Sequence, residues 1–284
     1  MLSQRPQFEQ VSPSVGELDE QAFSDALAAD PDAALGLLAD LTRATDTRLR
    51  ELARRLAGRL VVDVARRGPA RPRGTGRLVE APYRPDAGDL DLEASTDPIV
   101  EARAAGIAVD ADRLRVRRWV QPRTAVCLLV DRSGSMGGRP LATSALAAAA
   151  VAFRVPDEFS VISFAKDAVV VKSHTVSVPT ETVVDRVLAL RGHGTTDVAA
   201  ALRVAALQLA TSAAGRKLVV LLSDCRATEP GDVAAAAAEL DELAIVAPAG
   251  DDQAASALAA VTGATMTTVS GPMDVVEALS RVVG

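Results

Sequence analysis

From residue 120 onward the chain alternates short apolar runs with longer segments of helical spacing. The runs at 124–130, 159–164, 168–171, 217–223, 243–247 and 265–269 are rich in Val, Leu, Ile, Phe or Thr. Gly, Pro, Asp and Ser bound most of them, which predicts strands. Helices are predicted between them at 140–153, 180–190, 197–213, 231–240, 252–261 and 272–282. The first of these opens on Pro140, a residue suited to the first helical position. It is apolar almost all round, so it should be buried against the sheet. This alternation predicts an α/β fold with a mostly parallel sheet and helices on both faces. Ala165-Lys166-Asp167 joins two of the runs as a hairpin, so one edge strand should run antiparallel.

The first hundred residues follow another pattern. Residues 17–67 read as helical. The clearest stripe is Leu49, Leu52, Ala53, Leu56, Ala57, Leu60, Val61 and Val64, spaced for one face of a helix that Thr45 or Asp46 could cap. Such a stripe needs an apolar partner. The opposite face carries Arg48, Arg50, Arg54, Arg55 and Arg59, either a solvated face or a docking face for an acidic partner. Residues 1–16 read as a polar arm. Residues 68–93 read as a linker, basic and rich in Pro and Gly at first, then acidic, a sign change that could form an internal clasp. Asp97-Pro98 should open a short helix to about Ala105. Leu114 to Val120 should form a strand, with Trp119 packing on the α/β core. The organisation expected is a helical extension (1–75), a linker and packing segment (76–119) and an α/β domain (120–284).

Composition narrows the function classes. The chain has 284 residues, 49% hydrophobic but only 2% aromatic, so the core is aliphatic. A net charge of −6 argues against wholesale nucleic-acid binding. The N-terminus lacks the apolar core of a signal peptide, and no stretch is apolar enough to span a bilayer. Cys127 and Cys225 are expected to be reduced thiols, which suits the cytoplasm. His174 and His193 show no catalytic partner in sequence.

The chemistry concentrates where strands end. The run 124–130 ends at Asp131, with Ser133 and Ser135 following on a tight loop. In an open parallel sheet, ligands bind at that end of the strands. Three hard oxygen donors there suit a hard divalent cation rather than zinc. Another apolar run ends at Asp224. Between the two lies Gly192-His193-Gly194-Thr195-Thr196-Asp197, a Gly-rich loop able to add a threonine hydroxyl. Parallel strands bring these positions to one edge. The same Asp and Ser residues would also serve as helix caps. Other signatures fail: Gly134-Ser135-Met136-Gly137-Gly138 lacks the lysine of a P-loop and the glycine spacing of a nucleophile elbow.

Asp131-x-Ser133-x-Ser135, the later Gly-x-Thr-Asp and the strand ending in Asp224 resemble the von Willebrand factor A (VWA) domain and its metal-ion-dependent adhesion site. The resemblance covers roughly residues 120–284. It implies a Rossmann-like, doubly wound sheet and a binding site rather than a reaction. Ser133, Ser135 and Thr196 resemble direct ligands of Mg²⁺, with Mn²⁺ the alternative; Asp131 and Asp224 resemble carboxylates that hold its waters. Thr196 is preferred over Thr195 because it precedes Asp197. The family often has Gly where this chain has Cys225. No cofactor beyond the metal is implied.

The expected function is that of a non-catalytic, cytoplasmic, metal-dependent adaptor. It should grip a client protein through an acidic side chain at the metal, without nucleic acid or membrane. The helical extension resembles that of bacterial VWA proteins that work with MoxR-type AAA+ ATPases. Alternatives are a VWA subunit of a magnesium- or cobalt-chelatase-like complex and a metal-dependent hydrolase.

Overall fold

The computed structural model describes residues 8–13, 16–67, 77–85, 88–120, 123–133, 137–192 and 194–283. The first elements are α1 (Phe8–Val11), α2 (Glu20–Ala29), α3 (Pro31–Leu41) and α4 (Thr47–Arg66). Next come β1 (Arg77–Pro82), β2 (Asp89–Leu90), α5 (Leu92–Ala105), a 3-10 turn (Ala111–Arg113) and β3 (Arg115–Val120). The remainder is β4 (Thr124–Asp131), α6 (Gly138–Arg154), β5 (Phe159–Phe164), β6 (Ala168–Lys172), α7 (Thr180–Leu188), α8 (Val198–Ala210), β7 (Arg216–Leu222), α9 (Val233–Ala238), β8 (Glu242–Pro248), α10 (Gln253–Thr262), β9 (Thr265–Val269) and α11 (Pro272–Val283). Contacts divide the chain into residues 1–71 with 124–284, and residues 72–123.

In the larger unit six strands form one sheet in the order β6-β5-β4-β7-β8-β9. All neighbours are parallel except β5 and β6, which pair antiparallel across the 165–167 hairpin. Expected and observed bounds coincide for β5 and β9 and differ by a residue or two for the other strands. Alternation along β4 sorts its side chains. Val126, Leu128 and Val130 enter one core, which also holds residues of α6, α7 and α11. Ala125, Cys127 and Leu129 enter the other, with residues of α8, α9 and α10. This is the doubly wound arrangement that the apolar runs predict.

The apolar stripe of α4 finds its partner inside the same unit. Leu49, Ala53, Leu56, Ala57 and Val61 are buried in the core that contains α6, and α4 packs on α6 and α7 while α3 packs on α6. Asp46 caps α4, accepting from the Leu49 amide at 2.7 Å. Arg66 lies 5.1 Å from the centroid of the Phe153 ring, a cation–π contact from α4 to α6. The basic face is partly engaged within the chain: Arg59 pairs with Glu20 of α2 at 3.1 Å, and Arg50 donates to the Ala44 carbonyl. Covered on both sides, α6 is buried at every position from 141 to 152. Its all-round apolar character thus comes from helices on one flank and the sheet on the other.

The smaller unit is an antiparallel sheet, order β1-β3-β2, with α5 beside it. Three expectations change here. Residues 77–82 and 89–90, read as linker, are strands. They pair with β3 around the fully buried Val116, which faces Ala81 and Leu90 in the ladders. Runs this short and this charged give no clear period-two signal. Trp119, expected to pack, is 72% exposed. Helix α5 starts earlier than expected, at Leu92, capped by Asp91, and carries Pro98 inside it. The Asp91 carboxylate also takes the Arg117 Nε at 2.7 Å, so it is engaged within this unit. The basic stretch 68–76 lies outside the described residues. Among the described residues no helix is long and apolar enough to cross a membrane.

Candidate metal site

The site forms where β4 and β7 run out side by side. Asp131 is the last residue of β4, in register with Phe164 of β5, and Asp224 follows β7 directly after Ser223. The two neighbouring strands therefore deliver both carboxylates to one edge. Asp131, Ser133 and Asp224 line a single cleft of about 440 Å³, whose wall also includes Arg139, Ser144, Asp251, Ser270 and Gly271.

Asp131 is held by two donors. Its Oδ1 accepts from the Ser133 amide at 2.8 Å, and its Oδ2 accepts from the Ser223 hydroxyl at 2.5 Å. The Ser223 Oγ in turn accepts from the Cys225 amide at 2.9 Å. Each oxygen of an ionised carboxylate has about two acceptor positions. Asp131 is thus fixed in place and still has capacity to accept from a water. Asp224 Oδ1 takes the Arg226 amide at 2.9 Å, and the Arg226 guanidinium reaches Asp251.

Thr196 is placed by backbone bonds from both sides. The Asp197 amide donates to the Ala165 carbonyl at 2.9 Å, just past the end of β5. The amides of Thr228 and Glu229 donate to the Thr196 carbonyl at 3.0 and 3.1 Å, and the Thr196 amide donates to Thr228 Oγ1 at 2.7 Å. Its loop is thereby stitched between the ends of β5 and β7. Thr196 is 3% exposed and does not line the cleft. Neighbouring Thr195 donates to the Glu229 carboxylate. Asp197 caps α8, accepting from the Ala200 amide at 2.8 Å. Ser135 and His193 lie outside the described residues.

The donors fit a hard cation. Every candidate side chain offers oxygen, and among the described residues no three His, Cys, Asp or Glu converge as a transition-metal cluster would. The Ser133 hydroxyl and the two anchored carboxylates of Asp131 and Asp224 at one cleft suit Mg²⁺ or Mn²⁺, which tolerate retained waters. Sequence reasoning did not find Ser223 or Thr228. Both sit in the loop that leaves β7, and the residues they hold lie 92 positions away for Ser223 and 32 for Thr228, so no local sequence cue marks them.

Cys225 adopts φ +61, the left-handed region that favours glycine. The Asp-Gly pair common in the resembling family would meet this turn without strain. Burial, followed by the carboxylates of Asp224 and Asp131, pushes the Cys225 thiol up to about 12. It is therefore a neutral thiol at physiological pH and a poor nucleophile. Cys127 is likewise pushed up to about 12 by burial. Both thiols are unpaired and buried.

Among solved structures, the fold is similar to the BatB protein of Bacteroides thetaiotaomicron, with TM-score 0.44 and 13% identity over 56% of this chain and 96% of that one. It is also similar to a von Willebrand factor type A protein from Catenulispora acidiphila, with TM-score 0.46 and 18% identity over 58% of this chain and 43% of that one. Manganese-loaded TRAP from Plasmodium vivax gives TM-score 0.45 and 16% identity over 57% and 74%. No curated protein sequence matches the chain. The profile of the von Willebrand factor type A domain matches residues 125–269, from the start of β4 to the end of β9, and the chain belongs to that family.

Proposed function

We propose that this chain is a non-catalytic, metal-dependent protein-binding adaptor of the cytoplasm. The observation that carries the reading is the convergence of Asp131, Ser133 and Asp224 on one cleft, with Asp131 clamped between the Ser133 amide and the Ser223 hydroxyl. Ser133, Ser135 and Thr196 are the direct ligands in this reading, which requires the Thr196 hydroxyl to turn toward a cleft it does not line; Asp131 and Asp224 hold ligand waters. When bound, Mg²⁺ or Mn²⁺ supplies an electrophilic seat for a carboxylate of a client protein. The chain's part is to keep direct carboxylate ligands few, so that the seat keeps its charge, and to orient the waters through anchored aspartates. Low local dielectric strengthens such a contact once the client covers it. A MoxR-type AAA+ ATPase is the proposed partner that remodels the captured client, since this chain has no Walker motif of its own.

Calorimetric titration of Mg²⁺ and Mn²⁺ into wild type and Asp131→Ala tests the site. Wild type should bind and the variant should not, with equal melting temperatures in EDTA. Equal binding heats in both would remove the site. Client capture should need the cation. Losing a buried charged contact costs about 2–5 kcal/mol, roughly thirty-fold or more in affinity. EDTA and Ser133→Ala should each weaken capture to that degree; recovery equal to wild type in Mg²⁺ would leave an ordinary interface. Turnover of a phosphoester by the purified protein with Mg²⁺ would overturn the non-catalytic reading.

A further inference from the structure

Helix α3 carries Asp32, Gly36 and Asp40 at spacings of four, one stripe of the helix. This stripe meets two of the segments that line the cleft. At one end the Gly138 amide donates to Asp40 Oδ1 at 2.6 Å, across 98 residues of sequence. Gly138 opens α6 with φ +54, and the cap position before it is Gly137, whose missing side chain provides no cap bond. The Asp40 carboxylate therefore takes the role that a Ser or Asp side chain normally fills at a helix start.

In the middle of the stripe the two helices approach closely. A β-carbon on Gly36 would lie 3.1 Å from the Arg139 backbone nitrogen. At the other end the Met273 amide, in the first turn of α11, donates to Asp32 Oδ1 at 2.9 Å, and a β-carbon on Gly271 would run into the same carboxylate. Arg139, Ser270 and Gly271 all belong to the cleft wall, with Asp131, Ser133 and Asp224.

We infer that α3 is the positioning element of the cleft: Asp40 sets the start of α6, which carries Arg139 of the cleft wall, and Asp32 sets the start of α11, which follows Ser270 and Gly271 of that wall. The geometry of the candidate metal site is then held from the N-terminal helical layer as well as from the sheet. Whatever displaces α3, a partner on that layer included, changes the affinity of the cleft without touching it. The inference deepens the proposed metal-dependent reading and rests on it only for the metal arm of the test.

Hydrogen exchange on the metal-free full chain in EDTA addresses the positioning directly. Asp40→Ala should speed exchange of the amides at 137–142 at least tenfold and leave 270–275 at the wild-type level. Asp32→Ala should do the reverse. Asp40→Asn, which keeps an acceptor oxygen, should fall between. Calorimetry should then show Mg²⁺ binding about tenfold weaker in Asp40→Ala and in Asp32→Ala. Should Asp40→Ala fail to fold, Asp40→Asn and Gly36→Ala carry the same comparison. Unchanged exchange at 137–142 in the Asp40 variants would overturn the inference. So would a rise spread evenly over the whole chain, which marks general loosening. A wild type that takes up no Mg²⁺ would overturn the metal reading instead, and the exchange result would still decide the role of α3.

Discussion

The two faces of the six-stranded sheet are closed to different depths. On one, α8, α9 and α10 form a single layer that meets solvent: Val198, Leu202 and Leu209 of α8 are buried, while Leu207 is 69% exposed. On the other, α6, α7 and α11 lie on the sheet, and α3 and α4 lie on α6. A helix in a two-layer arrangement has a wet side and must be amphipathic. A helix enclosed on both sides has none. Alanine fills positions 147–150 of α6, and each is fully buried; small side chains let α6 sit close to both neighbours. The N-terminal helices are thus part of the core on the thick face.

The largest expected effect removes that layer. A chain beginning at residue 72 uncovers the surfaces of α6 and α7 on which α3 and α4 pack, apolar surface of the kind that marks an aggregation liability when exposed. The terms lost are several buried leucines at about 1.5–3 kcal/mol each, against a net stability of about 5–15 kcal/mol for a typical domain. The shortened chain should aggregate or lose cooperative melting in size-exclusion and calorimetric measurements. A monomeric, cooperatively melting product would mean that the thick face needs only its first layer.

What was legible in the sequence follows the same division. The strands of the sheet are buried on both sides, so β4, β5, β7 and β8 read as continuous apolar runs, and their bounds emerge within two residues or closer. The grouping of Asp131, Ser133 and Asp224 was legible because strand ends of a parallel sheet share an edge. The α4 stripe announced a buried face without naming its partner, since period gives a direction and not a neighbour. Asp32 and Asp40 were invisible for a different reason. Each reads as a polar residue on a helix, and its role exists only once α3 lies across loops more than ninety residues away. Residues 77–90 failed because a two-residue strand and a charged six-residue strand carry too few positions for a period to show.

A pair of identical substitutions compares the faces at smaller scale. Leu38 of α3 is 1% exposed and belongs to the thick face's core; Leu207 of α8 is on the open side of the thin face. Leu38→Ala should cost about 2–5 kcal/mol, the transfer of the side chain plus the cavity it leaves. Leu207→Ala should stay within about 0.5 kcal/mol. Urea denaturation of the two variants beside wild type measures both. A Leu38→Ala cost as small as that of Leu207→Ala would show that α3 rests loosely on α6.

The smallest expected effect concerns a cation at the margin of the thick face. Lys172 ends β6, opposite Val161 of the thick-face core, and is 3% exposed. Its Nζ donates to the Phe159 carbonyl at 2.6 Å and the Ser173 carbonyl at 3.1 Å, and lies 3.9 Å from the Phe159 ring centroid. Burial nonetheless pulls its pKa down to about 8, from 10.5. The folded value therefore lies below the unfolded one. Between pH 8 and 10.5 the unfolded chain binds more protons at this residue, so the stability it contributes rises with pH through that window. Below pH 8 the full penalty of a buried charge applies. Lys172→Met, which keeps the length and removes the charge, should compare most favourably with wild type at pH 7. Wild type should gain on it by about 1–2 kcal/mol on going to pH 10, with solvent screening trimming the full shift. Urea denaturation of both chains at pH 7, 8.5 and 10 gives the difference directly. A difference that stays flat with pH would mean that the two carbonyls and the ring hold the charged amine as well as water does.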